Sequence, residues 1–521
     1  MNRVPANGAI SMLLRLRRFG FLSSVVALSA LRAAPALAAP EAAAAADDED
    51  DDPAEPATAP KPKAEPEEKK AEAVVTPASA PTPAAVAAST DVTRVPTPSP
   101  LSFGSGGWTA SLYGFVELDV MSDSTQSYAE NVGNNNIARP NTVAGDNPRT
   151  QITARNSRLG FKLEAPQWGD VKTSGVIEFD FFGEPQPTTK QGESYTAGPA
   201  RMRHFYAKVE TPIVDILAGQ YHDLFAWGGA GFYPNTVAFL PLQGQIYHRN
   251  PQFRISKTLK GNAVDFEIAV AAVRPVQRDS NLPDFQGGVK VDVNGWTGAS
   301  TPGASRPVSA PLSIGLSGVA RRFSVTDFST VPGNPQKANG WGFAANAFIP
   351  VIPAKNDDLS NALSLTGEFT TGSGISDLYT GLTGGVLFPQ LPNPNNSELV
   401  PTYTPNIDPG IVTFDGSNLV QPVKWSAFVV NGHYHLPFGG GKKVWVSGTY
   451  SHVKSDNALA LTPVQGRPYV WDKAQYFDGN VWWAMTPAVQ VGLSFQHGEQ
   501  TYGDGVVAKN NRGEGAFYLF F

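Results

Sequence analysis

Leu112-Tyr113-Gly114-Phe115-Val116-Glu117-Leu118-Asp119-Val120 repeats with a period of two. Leu112, Gly114, Val116, Leu118 and Val120 fall on one side, and Tyr113, Phe115, Glu117 and Asp119 on the other. Successive side chains of a β-strand point to opposite faces, so this is a strand with an apolar and a polar side rather than a helix. Val489, Val491, Leu493 and Phe495 alternate with Gln490, Gly492, Ser494 and Gln496 in the same way. So do Leu363, Leu365, Gly367 and Phe369 against Ser364, Thr366, Glu368 and Thr370. A soluble sandwich gives the same alternation. Strand length, loop asymmetry and the last strand separate the two cases.

Segments of this kind between turn signals number about sixteen: 111–121, 156–165, 171–182, 201–210, 213–221, 251–259, 263–274, 284–293, 312–324, 341–350, 362–371, 424–436, 442–453, 473–485, 488–498 and 512–521. Most approach the roughly 9 to 11 residues that a tilted strand needs to cross a bilayer. Connections alternate between tight (166–170, 211–212, 260–262, 437–441, 486–487) and long (122–155, 222–250, 372–423). Short turns at one end and long loops at the other are the pattern of an outer-membrane barrel, and an even strand count puts both barrel ends on the short-turn side. The final strand places Phe517, Leu519 and Phe521 on one face and stops on an aromatic, as the targeting signals of bacterial outer-membrane proteins do. The expected fold is an all-β transmembrane antiparallel barrel over 108–521.

What precedes the barrel is of two kinds. Residues 1–38 hold five Arg and no acid, with Arg15, Arg17 and Arg18 before an apolar run and the small-residue site Ala36-Leu37-Ala38. This reads as a signal peptide, hence an outer-membrane protein of a Gram-negative bacterium with its N-terminal tail in the periplasm. Residues 39–107 read as a disordered, acidic, Ala/Pro-rich linker. Its part 39–100 has thirteen acids against five bases and nothing to bury. The run 47–52 lacks the Gly-containing twelve-residue loop of an EF-hand. The remaining 33 acids and 30 bases give 101–521 no broad basic surface for nucleic acid. With no Cys, disulfides, thiol nucleophiles and Cys-based metal sites are excluded.

Sixteen strands enclose a water-filled lumen, whereas eight would be filled by side chains. The inward face of the second strand carries Arg158, Lys162 and Glu164, and that of the third Lys172, Glu178 and Asp180. Arg201 and Arg203 are two apart, hence on one wall, where forked guanidiniums suit carboxylate or phosphate oxygens. Glu117, Asp119, Glu178 and Asp180 are the wall carboxylates available to pair with them. Catalysis is not expected: there is no G-x-S-x-G, no H-E-x-x-H and no complete Walker A. His433 and His435 share a strand face but lack a third ligand, so neither a metal nor another cofactor is expected. His204 reads as a polar strand residue near an interface.

Five segments together carry a resemblance: Leu112-Tyr113-Gly114-Phe115, Ser157-Arg158-Leu159-Gly160-Phe161, Glu178-Phe179-Asp180-Phe181-Phe182-Gly183, Arg201-Met202-Arg203-His204-Phe205-Tyr206 and Gly219-Gln220. In order and spacing they resemble the first strands of the DcaP-like trimeric outer-membrane porins. The resemblance implies a homotrimer of sixteen-stranded barrels in outer-membrane lipid, taking up small anionic solutes such as dicarboxylates. It implies that Arg158, Arg201 and Arg203, which match the family's motif arginines, line the lumen. The alternative is a structural or adhesive barrel with a plugged lumen and a tail in contact with the cell wall.

Overall fold

A computed structural model describes residues 101–521 apart from 131, 134–135, 184–197, 229, 328–333, 356, 380–406 and 409. The signal peptide and nearly all of the linker lie outside the described residues. The sheet itself begins inside the segment assigned to the linker, where Ser102–Ser105 pairs back onto the first barrel strand.

Sixteen wall strands close into one antiparallel barrel. They are β1 (Trp108–Asp123), β2 (Arg149–Thr153 and Arg158–Glu164), β3 (Lys172–Asp180), β4 (Arg201–Glu210), β5 (Asp215–His222), β6 (Arg249–Leu259), β7 (Val264–Val273) and β8 (Asp284–Ser300). Then follow β9 (Val308–Asp327), β10 (Asn334–Ile352), β11 (Leu363–Ser373), β12 (Lys424–His435), β13 (Val444–Ser455), β14 (Trp471–Ala484), β15 (Val489–Tyr502) and β16 (Val507–Phe520). Closure is between β1 and β16, where Val116 faces Leu519 and Leu118 faces Phe517. Gly114 and Phe521 exchange two backbone hydrogen bonds of 3.1 Å at that seam. A closed barrel leaves no unpaired edge, the condition for a sheet to stand in hydrocarbon.

The wall is apolar outside and polar inside. Val116, Leu118 and Val120 of β1, Ile268 and Val270 of β7 and Leu493 and Phe495 of β15 are exposed large hydrophobics. Their inward neighbours Glu117, Asp119, Gln490 and Gln496 are buried. The alternation read from the sequence is therefore the membrane face and the lumen face of one wall.

Local departures from the expected strands have definite causes. The second strand is broken at 154–157, where the Ser157 hydroxyl accepts from the Glu117 amide (3.0 Å) and Asn156 donates to the Glu117 carboxylate (2.6 Å). Beyond that break it resumes as Arg149–Thr153, within what reads as a long loop. β8, β9 and β10 run to 17, 20 and 19 residues because ladder bonds continue into Gly-, Ala- and Ser-rich flanks with no apolar alternation to reveal them. β4 contains a bulge: Glu178 faces His204 while Phe179 faces Met202, leaving Arg203 as the extra residue. Arg201 and Arg203 point inward, the bulge resets the parity, and His204 and Tyr206 point inward as well. His204 is accordingly buried in the lumen, not placed near an interface.

The described parts of three long connections enter the barrel. Loop 223–248 is buried along most of its length and crosses to the far wall. Asn235 and Asn431 of β12 exchange hydrogen bonds of 3.0 and 3.1 Å. Thr236 donates to Asp478 of β14 (2.7 Å), and the Ile246 amide donates to Glu368 of β11 (2.7 Å). Tyr128, Val132 and Ile137 from loop 124–148 and Leu378 and Tyr379 from loop 374–423 pack with Phe225, Leu242 and Ile246 into an apolar cluster inside the barrel.

Candidate functional site

Between loop 223–248 and the short-turn end lies a cavity of about 510 Å³. Its walls come from β1 to β6, from loop 223–248, from β8 to β10 with the inward-folded turn 301–307, and from the end of β16. Short hairpins on that side would leave the lumen open. The sequence Thr301-Pro302-Gly303-Ala304-Ser305-Arg306-Pro307 instead forms a turn long enough to reach inward, and it places Arg306 over the Phe520 ring, 5.1 Å from its centroid.

The charged groups differ in how far they are neutralised. Arg203 is the most tightly held. Its Nε donates to Glu178 (2.7 Å), Nη1 to Asp180 (2.9 Å) and Nη2 to the Tyr247 hydroxyl (3.2 Å), with only 3% of the residue exposed. Arg201 donates twice to Asp180, at 2.9 and 2.7 Å, and stays partly exposed toward the cavity. Tyr113 adds a second donor to Glu178 (2.9 Å). Arg158 approaches Glu178 only to 3.7 Å and lies over Phe115.

Arg249 and Arg306 also line the cavity, and neither has a carboxylate within ion-pair distance among the described residues. Arg249 lies over the Tyr247 ring with its Nη1 buried and without a hydrogen-bond partner. Five guanidiniums thus face two carboxylates, Glu178 and Asp180, a formal excess of three positive charges. Burial alone would raise the Tyr247 hydroxyl's pKa, but Arg203, Arg249 and Arg158 outweigh it and draw it below the ordinary tyrosine value. At the foot of the same loop Asp223 is buried, yet His248, Gln286 and Asn250 hold its carboxyl below the usual range.

Of the residues singled out in the sequence, Arg158, Arg201, Arg203 and Glu178 line this cavity, and Asp180 lies directly behind the two β4 arginines. Glu117 and Asp119 face inward on β1 but are fully buried and are not among the lining residues. Lys162, Glu164 and Lys172 sit nearer the short turns, and Lys162 pairs with Glu164 at 2.8 Å. His433 and His435 engage the carbonyls of Ala299 (2.7 Å) and Gly441 (2.6 Å). No group of three potential metal ligands occurs among the described residues.

Sequence reasoning missed Arg249, Arg306, Tyr247 and His222, and misplaced His204. Arg249 begins a strand directly after the inward loop, where nothing in the local pattern sets its facing. The one available signal was the unusual length of 301–307 for a hairpin on the short-turn side.

No protein-family model and no curated protein matches the chain. Among solved structures it is similar to the outer membrane channel DcaP of Acinetobacter baumannii, with a TM-score of 0.55 and 20% identity over 80% of this chain and 99% of that one. It is also similar to the anion-selective porin from Comamonas acidovorans, with a TM-score of 0.44 and 10% identity over 80% of this chain and 100% of that one. For outer-membrane OmpT of Vibrio cholerae the TM-score is 0.43, with 11% identity over 81% of this chain and 100% of that one. Together with the closed sixteen-stranded wall, the first of these likenesses shows that the chain has the fold of the DcaP outer-membrane channel.

Proposed function

We propose that this chain is an outer-membrane porin, a water-filled channel for passive diffusion of small hydrophilic solutes that favours anions such as dicarboxylates. One observation carries the anion preference: five arginines and two carboxylates around a lumen cavity, with Arg249 and Arg306 free of acidic partners among the described residues. A narrow passage with low-dielectric walls focuses such a field, so a few fixed charges outweigh the nearly balanced remainder of the barrel. The resemblance to trimeric porins adds a homotrimer, and the barrel's two end strands meeting at the short-turn side suit a tail on the periplasmic side.

The test is planar-bilayer recording on the refolded protein in a salt gradient. Discrete conductance steps with a reversal potential on the anion side are expected, and flux of a small dicarboxylate should exceed that of a neutral sugar of similar size. A cation-side reversal potential would remove the anion reading. The apolar cluster that loops 124–148, 223–248 and 374–423 form inside the barrel favours a second reading, a structural or adhesive barrel with a filled lumen. Absence of any conductance from correctly folded protein would decide for it.

A further inference from the structure

On the membrane face of β9 to β16, cations gather at the long-loop end; at the short-turn end Lys257 of β6 shares parity with the exposed Phe253 and Ile255 but donates to the carbonyls of Thr211 and Pro212. Arg322 on β9 and Lys337 on β10 are exposed and share strand parity with the exposed Leu316 and Phe343. Lys424, Lys454 and Lys473 on β12, β13 and β14 share it with Phe428, Tyr450 and Phe477, and Lys509 on β16 with Phe517. Side chains of equal parity leave a strand on the same side, so all six cations project outward. All six lie toward the long-loop end. At the short-turn end the outward positions of the same strands are apolar, aromatic or small, and none is charged.

The row stands at headgroup height. Lys454 is four residues beyond Tyr450, about 13 Å further along the strand. The outward face below it is the apolar band that meets hydrocarbon, so the ammonium reaches the polar layer of the leaflet on the long-loop side. Lysine stems can lie on the apolar surface while their heads remain in that layer.

The row is also under-neutralised. Lys509 pairs with Glu499 (2.6 Å) and Lys454 with Asp456 (3.3 Å). Asp472, at the bulge that opens β14, brings the carboxylates there to three against six cations. Arg322, Lys337, Lys424 and Lys473 have no carboxylate within ion-pair distance among the described residues. Lys454 and Lys473 stand directly opposite one another in the β13–β14 register. Like charges so placed repel and destabilise the pair, and an anion between them would relieve that cost.

We infer that this row is a docking surface for a phosphate-bearing lipid of the outer leaflet, its phosphates between Lys424, Lys454 and Lys473 and its chains on the Phe428–Tyr450–Phe477 surface beneath. Cation clusters at a membrane surface attract anionic headgroups in this way. The inference needs the transmembrane barrel but not conduction, and its test reads lipid rather than current.

The experiment delipidates the full chain in neutral detergent and offers it bis-phosphorylated lipid A, monophosphorylated lipid A or phosphatidylcholine. Lipid retained after gel filtration is quantified by mass spectrometry, with heat-modifiable gel migration confirming the folded barrel. Retention in the order bis-phosphorylated, monophosphorylated, phosphatidylcholine is expected. It should fall about tenfold in the K424Q/K454Q/K473Q protein and return when the same three positions carry Arg. Equal retention by the Gln protein would overturn the inference, as would equal retention of phosphatidylcholine. Displacement by inorganic phosphate at the lipid's own concentration would instead assign the row to a soluble anion. A changed oligomeric state in the Gln protein, with lipid retention intact, would make the row a contact between copies of the chain.

Discussion

At the level of single residues, charge alone does not tell which arginine a solute meets. Arg203 has spent its donors on Glu178, Asp180 and Tyr247, whereas Arg249 has a buried Nη1 facing no partner. Replacing Arg249 by Ala should therefore move the reversal potential toward zero while the barrel still folds. Replacing Arg203 by Ala leaves Glu178 and Asp180 buried with fewer partners, which typically costs about 3 to 5 kcal/mol. Its expected signature is a lower unfolding temperature on heated gels, with selectivity a secondary effect. Tyr247 gives the site a pH dependence with a defined sign. Its hydroxyl is neutral when protonated and adds a negative charge when it ionises, and its pKa lies below the ordinary value. Anion preference should thus fall as pH rises, at a pH below the usual tyrosine value of about 10. Tyr247→Phe should lose that part of the fall; an identical pH profile in the variant would exclude Tyr247 as its source. Gly160 is a steric counterpart: a Cβ there would stand 2.4 Å from the Tyr113 ring, which covers it from the neighbouring strand. Gly160→Ala should displace Tyr113 from Glu178 and lower thermal stability, as heated gels would show.

At the level of elements, loop 223–248 matters most, because it decides how much of the lumen remains open. It is held to the far wall by the Asn235–Asn431 pair, by Thr236 on Asp478 and by Ile246 on Glu368. Asn431→Ala removes both halves of the first contact and leaves the others. Larger and noisier single-channel conductance is expected; an unchanged trace would mean that the remaining contacts suffice to hold the loop. Neither the loop's path nor the β4 bulge was legible in the sequence, for different reasons. Phe225, Trp227, Phe232, Tyr233, Phe239, Leu242 and Ile246 show the loop's apolar content but follow no period, so nothing says what they pack against. The bulge is fixed by pairing across strands, between Glu178 and His204, and a single strand's residues do not encode it. Arg201 and Arg203 were legible because they precede the parity change. His204, one residue later, was not.

Over the whole molecule, the features that were legible depend on the solvent on each side of the wall. Hydrocarbon outside and water inside impose a period of two on every strand, so the strand number and the alternation of short and long connections could be read residue by residue. The flanks of β8 to β10 lie outside that constraint, and their extent went unseen for the same reason. The acidic segment 39–100 obeys neither solvent. It carries thirteen acids and five bases, while the barrel closes through β1 and β16 with pairing that starts at Ser102. Deleting residues 41–100 should therefore leave heat-modifiable migration and single-channel conductance nearly unchanged. Selectivity is the more sensitive readout. Were the segment's eight net negative charges to reach the short-turn mouth, they would compete with diffusing anions for Arg249 and Arg306, and this competition would weaken as salt screens it. If deletion raises anion preference at low salt but not at high salt, the tail acts as a tethered counter-anion of the cavity. Equal reversal potentials at both salt concentrations would place its charge beyond the reach of the pore, and loss of assembled barrels would show that the tail contributes to folding.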